Sequence, residues 1–178
     1  FVKAIVNLTR NSNGRYLESY NHAVGTKSVP GSTFKLASLM ALLEDEKVKI
    51  DDVINANGKY TFYDRSLHDS KPGGYGEITI KRAFEKSSNV FSKIIHDAYK
   101  DNPDLFIKRL ESFGLTKKLG VSIAGEAVPK FHTPGSKGWS GISLPWMAIG
   151  YEFEQTPLQT LAFYNAVANN GKFLRPQF

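Results

Sequence analysis

PGSTFK, residues 30–35, is the stretch that decides the interpretation of this chain. Ser32 stands where a loop becomes a helix, and Lys35 follows three residues later, so both side chains lie on one helical face, close enough to touch. A serine hydroxyl becomes a good nucleophile when a base takes its proton, and a buried lysine with a lowered pKa can be that base. The helix N-terminus favours negative charge on the serine oxygen, and the Ser32 N–H is placed as an oxyanion donor. Taken alone, this spacing is more typical of a helix-capping serine followed by a solvated lysine.

A second candidate, Ser87-Ser88-Asn89, follows about 55 residues after Ser32. We predict that it interrupts two helices, so that Ser87 and Asn89 can point into a cleft. The Ser87 hydroxyl could relay protons to a leaving amine, and the Asn89 amide could hold a substrate carbonyl together with Lys35. Taken alone, the triplet is more typical of an ordinary helix cap. The two signals in this order are much less expected by chance.

Around these motifs the pattern predicts one hairpin followed mainly by helices and loops. Residues 2–8 alternate as a strand, residues 11–14 form a turn, and residues 15–20 return as the second strand. Because a lone hairpin is marginal, we expect further strands of this sheet beyond Phe178. A helix is predicted from Ser32 to its end at 44–47, with Leu36, Leu39, Met40 and Leu43 on one face, and residues 51–76 are predicted to be irregular. Further helices are predicted over 79–86, over 89–99 and from the cap Asn102 and Pro103 to Gly114. A loop over 120–145 and a helix from Thr156-Pro157 to Gly171 complete the prediction.

Composition narrows the possible functions. The chain has 178 residues, 41% of them hydrophobic, which suits one domain or most of one. The net charge of +6 comes from scattered residues without basic and aromatic interleaving, so we expect no nucleic-acid partner. Zero cysteines exclude thiol chemistry, and the four histidines lack ligand spacing, so we expect neither metal nor cofactor. A strand-like run starts at once at Phe1, and we interpret the chain as a piece of a longer protein.

Four stretches together carry a family resemblance: NHAVGTKSVPGSTFKLAS (21–38), KRAFEKSSNVFSKI (81–94), FGLTKKLGVSIAGEA (113–127) and IGYEFEQTPLQTLAFYNAVANNGKFLRP (149–176). They resemble the class B, monofunctional penicillin-binding proteins. The resemblance covers nearly the whole chain. It implies a mixed α+β, penicillin-binding-protein and β-lactamase-like transpeptidase domain, present in part over 1–178, with the N-terminal hairpin and the mainly helical subdomain but without the C-terminal strands.

The resemblance also implies a D,D-transpeptidase that cross-links peptidoglycan stem peptides through an acyl-enzyme. Ser32 would attack the carbonyl between the last two D-alanines, Lys35 would be the general base, and Ser87 and Asn89 would assist proton transfer and hold the substrate amide. A β-lactam would acylate Ser32 instead. Cell-wall synthesis or division proteins are the implied partners, and the catalytic domain would lie outside the bacterial cytoplasmic membrane, anchored by a segment absent here.

Two positions depart from the family pattern. No Lys-Thr-Gly or Lys-Ser-Gly triplet occurs in the chain, and Gly150-Tyr151-Glu152 stands where the family often has a Gly-Tyr-Gly-like run. Since the triplet holds the substrate carboxylate in the family, we expect the 178-residue piece alone to have little or no activity. Two alternatives stay open: a β-lactamase or β-lactam sensor, and a non-catalytic cell-wall scaffold that keeps the fold.

Overall fold

A computed structural model describes residues 6–177 and divides the chain into two compact units. Unit 1 combines the N-terminal residues through Ser28 with Gly114–Lys130 and the residues from Glu154 onward. Unit 2 combines Val29–Phe113 with Phe131–Phe153 and contains all four candidate site residues. The helices are α1 His22–Gly25, α2 Lys35–Glu44, α3 Ile80–Glu85, α4 Val90–Tyr99, α5 Asp104–Ser112, α6 Ser143–Met147 and α7 Pro157–Ala168, and a 3₁₀ turn spans Gly31–Phe34. The strands are β1 Leu8–Arg10, β2 Tyr16–Glu18, β3 Val53–Ala56, β4 Lys59–Phe62, β5 Arg65–His68, β6 Gly76–Thr79, β7 Lys130–Phe131 and β8 Phe153–Glu154.

The predicted N-terminal hairpin is present in unit 1. β1 and β2 pair antiparallel with Thr9 opposite Leu17. The Asn11 side chain accepts hydrogen bonds from the backbone N–H groups of Asn13, at 3.0 Å, and Arg15, at 2.9 Å, which fixes the turn. Residues 2–5 of the predicted first strand lie outside the described residues, and the described strand begins at Leu8.

The prediction that residues 51–76 are irregular is wrong. β3 pairs antiparallel with β6, and β4 pairs antiparallel with β5. Each strand has four residues, so the alternation that buries Tyr60 and Phe62 is too short to stand out from the surrounding polar residues. Gly58 and Gly74, both with positive φ, let two backbones meet: a Cβ at Gly58 would lie 2.4 Å from the Gly74 nitrogen.

The core of unit 2 is built around α2, which packs against α4 and α5. The helix was predicted from Ser32, but a 3₁₀ turn occupies Gly31–Phe34 and the α-helix begins at Lys35. Its predicted apolar face is partly wrong, since Leu43 is exposed. The small residues Ala37 and Ala41 are fully buried instead, because they let the neighbouring helices approach closely.

Local capping signals place most helix ends correctly. The Thr79 side chain accepts from the Arg82 N–H at the start of α3, and Thr156 forms a reciprocal capping box with Gln159 at the start of α7. Asn102 is not the cap of α5, since Pro103 occupies that position and Asp104 is the first helical residue. The predicted loop 120–145 is wrong in part, because it contains β7 and the first residues of α6.

Two polar clusters hold parts of the fold together. In unit 2 the Asp45 carboxylate accepts hydrogen bonds from Tyr99 Oη, at 2.7 Å, and from the Arg109 guanidinium, which joins α2 to α4 and α5. In unit 1 the Glu126 carboxylate accepts from the backbone N–H groups of residues 119–121. Each cluster fixes a segment through several bonds to one carboxylate.

Further strands beside the hairpin stay a prediction. In unit 1, α7 buries Leu158 and Ala162 and leaves other apolar side chains exposed, among them Leu161 and Val167. Within residues 6–177 no helix is long and apolar enough to cross a membrane.

Candidate active site

Ser32 is exposed at the turn before α2. Ser32 lies in the 3₁₀ turn, and its carbonyl accepts a hydrogen bond from the Lys35 N–H. The preceding residue, Gly31, has φ +56° and donates its N–H to the Gly150 carbonyl at 3.1 Å. Within residues 6–177 the Ser32 side chain makes no hydrogen bond, so its oxygen is open to a substrate.

Lys35 is almost completely buried, with 1% of its surface exposed. Its Nζ donates to the Ser87 carbonyl at 2.5 Å, to Asn89 Oδ1 at 2.8 Å and, more weakly, to Ser87 Oγ at 3.3 Å. Burial lowers the pKa of Lys35 to about 8, and the charge of Asp69 opposes that shift. A substantial fraction of this amine is therefore neutral near physiological pH, as a general base requires.

The turn at residues 87–89 presents its polar groups to Lys35 because of its backbone conformation. Ser87 has φ +53°, a left-handed value that is uncommon for a residue other than glycine. The N–H groups of Ser87 and Ser88 bond back to the carbonyls of Phe84 and Ala83, both at 2.9 Å, so the chain wraps the end of α3 before α4 begins. The predicted break between two helices is thereby present.

Asp69 bonds to the 87–89 turn, and the sequence pattern gave no indication of this contact. It follows β5 and is 9% exposed. Its Oδ2 accepts hydrogen bonds from Ser88 Oγ at 2.9 Å and from Tyr60 Oη at 3.1 Å, and its Oδ1 accepts from the Asn89 N–H at 2.5 Å. Recognising β4 and β5 as a hairpin would have placed Asp69 at a strand end, where a polar side chain needs a reason to be buried.

Three of the four predicted site residues are joined directly. Lys35 lies between Ser87 and Asn89, and the Asn89 amide nitrogen donates to the His68 carbonyl at 2.8 Å. Ser32 lies one short turn before Lys35, but the described hydrogen bonds of the amine go to the 87–89 turn and not to the serine. An exposed hydroxyl, a buried amine and a carboxamide therefore share one region of unit 2, a set suited to acyl transfer.

The Gly150–Glu152 turn packs against Gly31, the residue before Ser32. A Cβ at Gly150 would lie 1.9 Å from the Gly31 carbonyl oxygen, so only glycine fits there. Glu152 has φ +57°, and its Oε2 is buried with no hydrogen-bond partner among residues 6–177. The departure from the family pattern at this position therefore costs stability in two ways, through the left-handed backbone and through an unpaired carboxylate oxygen.

Replacing Glu152 with glycine is expected to stabilise the protein by about 1 kcal/mol, because relief of both costs exceeds the added chain entropy of glycine. Thermal unfolding should show a midpoint about 2–4 °C higher. Glu154→Gly is the matched control, since Glu154 lies in β8 and pairs with Lys130 at 3.6 Å, and this change should lower the midpoint. An unchanged or lower unfolding midpoint for E152G would show that Glu152 does not destabilise the protein.

Comparison with known proteins identifies the family. The model of the penicillin-binding protein transpeptidase domain matches residues 2–178. The penicillin-binding protein PbpB of Mycobacterium tuberculosis is 29% identical over 157 residues, which cover 88% of this chain and 22% of that protein. PbpB of Mycolicibacterium smegmatis is 30% identical, with 88% and 24% covered. The crystal structure of penicillin-binding protein 3 from M. tuberculosis matches with a TM-score of 0.76 at 28% identity, over 94% of this chain and 36% of that one.

The chain spans about a quarter of the length of these curated relatives. The family match nevertheless includes both the 30–35 motif and the 87–89 turn. The mixed α and β architecture also agrees with the solved transpeptidase structures. This chain therefore belongs to the penicillin-binding protein transpeptidase domain family, and its homologues are class B penicillin-binding proteins of bacterial cell-wall synthesis.

Proposed function

We propose that this chain carries the nucleophile half of a serine D,D-transpeptidase that cross-links peptidoglycan stem peptides. Ser32 is the nucleophile, Lys35 is the general base, Ser87 relays the proton and Asn89 holds the substrate amide. The observation that carries this proposal is the buried Lys35 amine, which bonds to both Ser87 and Asn89 and whose pKa lies near 8. The match to the transpeptidase family supports the same reaction class.

The proposed reaction has two acyl-transfer steps. Ser32 Oγ attacks the carbonyl carbon between the last two D-alanines while Lys35 takes its proton. The C–N bond then breaks, and the departing D-alanine nitrogen receives that proton through Ser87, which leaves the stem peptide as an ester of Ser32. An amine of a neighbouring stem attacks this ester and forms the cross-linking amide bond. The C–O bond to Ser32 breaks, and the proton that the amine loses passes through Lys35 to Ser32 Oγ.

A β-lactam enters the same first step in this proposal. Attack by Ser32 breaks the ring C–N bond, but the ring-opened product stays attached and blocks the incoming amine. M. tuberculosis penicillin-binding protein 3, 28% identical to this chain, has been solved in complex with aztreonam and with ampicillin. We extend that binding to the present chain as part of the proposal.

The lifetime of the adduct tests the proposal against a β-lactamase. The full-length protein is incubated with a fluorescent penicillin, freed of excess reagent and followed over time by gel fluorescence, and mass spectrometry locates the adduct. We expect a persistent, stoichiometric adduct on the peptide that contains Ser32. Rapid loss of the label with release of hydrolysed penicillin would instead indicate a β-lactamase, and no adduct would favour the scaffold alternative.

The same labelling applies to the isolated 178-residue piece. We propose that it labels weakly, because no Lys-Thr-Gly or Lys-Ser-Gly triplet is present in these residues to hold the carboxylate. Strong, stoichiometric labelling of the piece would contradict this. We further propose that the whole protein works on the outer side of the cytoplasmic membrane with other cell-wall synthesis or division proteins, as expected for the bacterial cell-wall proteins to which it is related.

A further inference from the structure

Outside the proposed acyl-transfer residues, unit 2 contains a buried, hydrogen-bonded carboxylate, that of Asp69. It accepts three hydrogen bonds, from Tyr60 Oη on β4, from Ser88 Oγ and from the Asn89 N–H. Two of these donors belong to the turn that holds Lys35. A carboxylate with three donors is well satisfied and keeps its partners in place.

We propose that Asp69 is a positioning residue for acyl transfer, which fixes the 87–89 turn against Lys35 and supplies the negative charge that acts on the lysine ammonium. This inference rests on the proposed function of Lys35. Asp69 touches no reacting atom in this scheme and acts through Ser88 and Asn89.

The geometry of the 87–89 turn supports the first part of the proposal, that Asp69 fixes this turn against Lys35. The Ser87 backbone is held at φ +53°, a strained value that persists only where the surroundings determine it. Asp69 Oδ1 accepts from the Asn89 N–H and Asp69 Oδ2 accepts from the Ser88 hydroxyl, so one carboxylate is hydrogen-bonded to two consecutive residues of the turn. The Asn89 side chain is left to accept from Lys35 and to donate to the His68 carbonyl.

The charge of Asp69 supports the second part of the proposal, its effect on the lysine ammonium. Burial favours the neutral form of Lys35, and the negative charge of Asp69 favours the protonated form. Tyr60 is a further titratable side chain that bonds to Asp69, and the exposed His68 accepts from the Asn89 side chain through its backbone carbonyl. Asp69 therefore keeps the amine from losing its proton too readily, so that the ammonium formed during acylation is stable enough to return the proton.

Asp69→Asn separates the charge from the shape, since the amide keeps an acceptor for the Asn89 N–H while the hydroxyls of Ser88 and Tyr60 can rotate. The acylation rate of the full-length protein by a fluorescent penicillin is measured from pH 6 to about pH 10, around the Lys35 pKa. We expect the midpoint of the rise with pH to move down by about one unit, and the plateau rate to fall about tenfold. Asp64→Asn, the same change at an exposed carboxylate in the β4–β5 turn, should leave both unchanged.

The pH midpoints and rates of these variants decide whether Asp69 acts as proposed. A lower midpoint in D69N supports it, whereas a wild-type midpoint overturns it, even when the rate falls through loosened packing. His68→Gln is measured in parallel, and a midpoint shift there equal to that of D69N would also overturn it. If D69N does not fold, Tyr60→Phe and Ser88→Ala each remove one bond to the carboxylate and keep its charge. Slower acylation with a wild-type midpoint in both supports the inference, and wild-type rates in both overturn it.

The proposed function and the positioning role of Asp69 can be tested separately. Loss of labelling in a Ser32 variant supports the proposed function whatever Asp69 does. If the wild-type protein is not labelled at all, the proposed function fails, and the Lys35 pKa is then read directly from the ε-carbon resonance of ¹³C-lysine by NMR. A lower Lys35 pKa in D69N than in wild type still supports the Asp69 inference in that case, and an equal pKa overturns it.

Discussion

Ser32→Ala is expected to abolish covalent labelling of the full-length protein by a fluorescent penicillin, a loss of at least about 10³-fold in the acylation rate. The acyl-enzyme is an ester of the serine oxygen, and alanine has no atom with which to form it. Ser32 is exposed at the Gly31–Phe34 turn, and within residues 6–177 its hydroxyl makes no hydrogen bond. The substitution therefore removes the proposed nucleophile and no side-chain hydrogen bond among the described residues.

The control for this prediction is Ser70→Ala, an exposed serine whose hydroxyl lies 3.3 Å from Tyr75 Oη and outside the proposed site. It should label as wild type does. Both variants should unfold at the wild-type temperature, which separates chemistry from stability. Undiminished labelling of S32A would mean that another side chain is the nucleophile, and mass spectrometry of the adduct would identify it.

The sequence predicts the local parts of this fold well because their causes are local. A threonine side chain that caps a helix bonds to a backbone group three residues away, so Thr79 and Thr156 mark the starts of α3 and α7 without knowledge of the rest of the chain. The Asn11 turn is readable for the same reason. The error at α2 arises because Leu43 has the right spacing but stays 37% exposed in the folded chain.

The candidate site depends on contacts that spacing cannot reveal. Lys35 bonds to residues 52 and 54 positions away, and the family resemblance, not the period of either helix, indicated that these segments meet. Asp69 had no comparable signal, since it lies in a polar stretch whose four-residue strands were predicted to be irregular. Its importance follows from burial beside three donors, and burial is a tertiary property.

The pH dependence of acylation is expected to follow the protonation of Lys35. The pKa of Lys35 lies near 8 because burial disfavours the charged form. A general base must be neutral, so the wild-type acylation rate should rise about tenfold per pH unit below pH 8 and level off above it. A flat rate between pH 6 and about pH 8 would contradict this role for Lys35.

Lys35→Arg should lower the acylation rate by about 10³-fold or more and remove this rise, because a guanidinium stays protonated throughout the accessible pH range. The larger planar group must also fit where Nζ now bonds to the Ser87 carbonyl and Asn89 Oδ1, so the variant is checked by thermal unfolding. Lys35→Met tests the same point with a chain of similar length and no charge, and it should be equally slow. Lys86→Arg, at the exposed end of α3, is the matched control and should keep the wild-type rate and pH profile. A K35R or K35M variant that keeps the wild-type rate would show that another group takes the proton from Ser32.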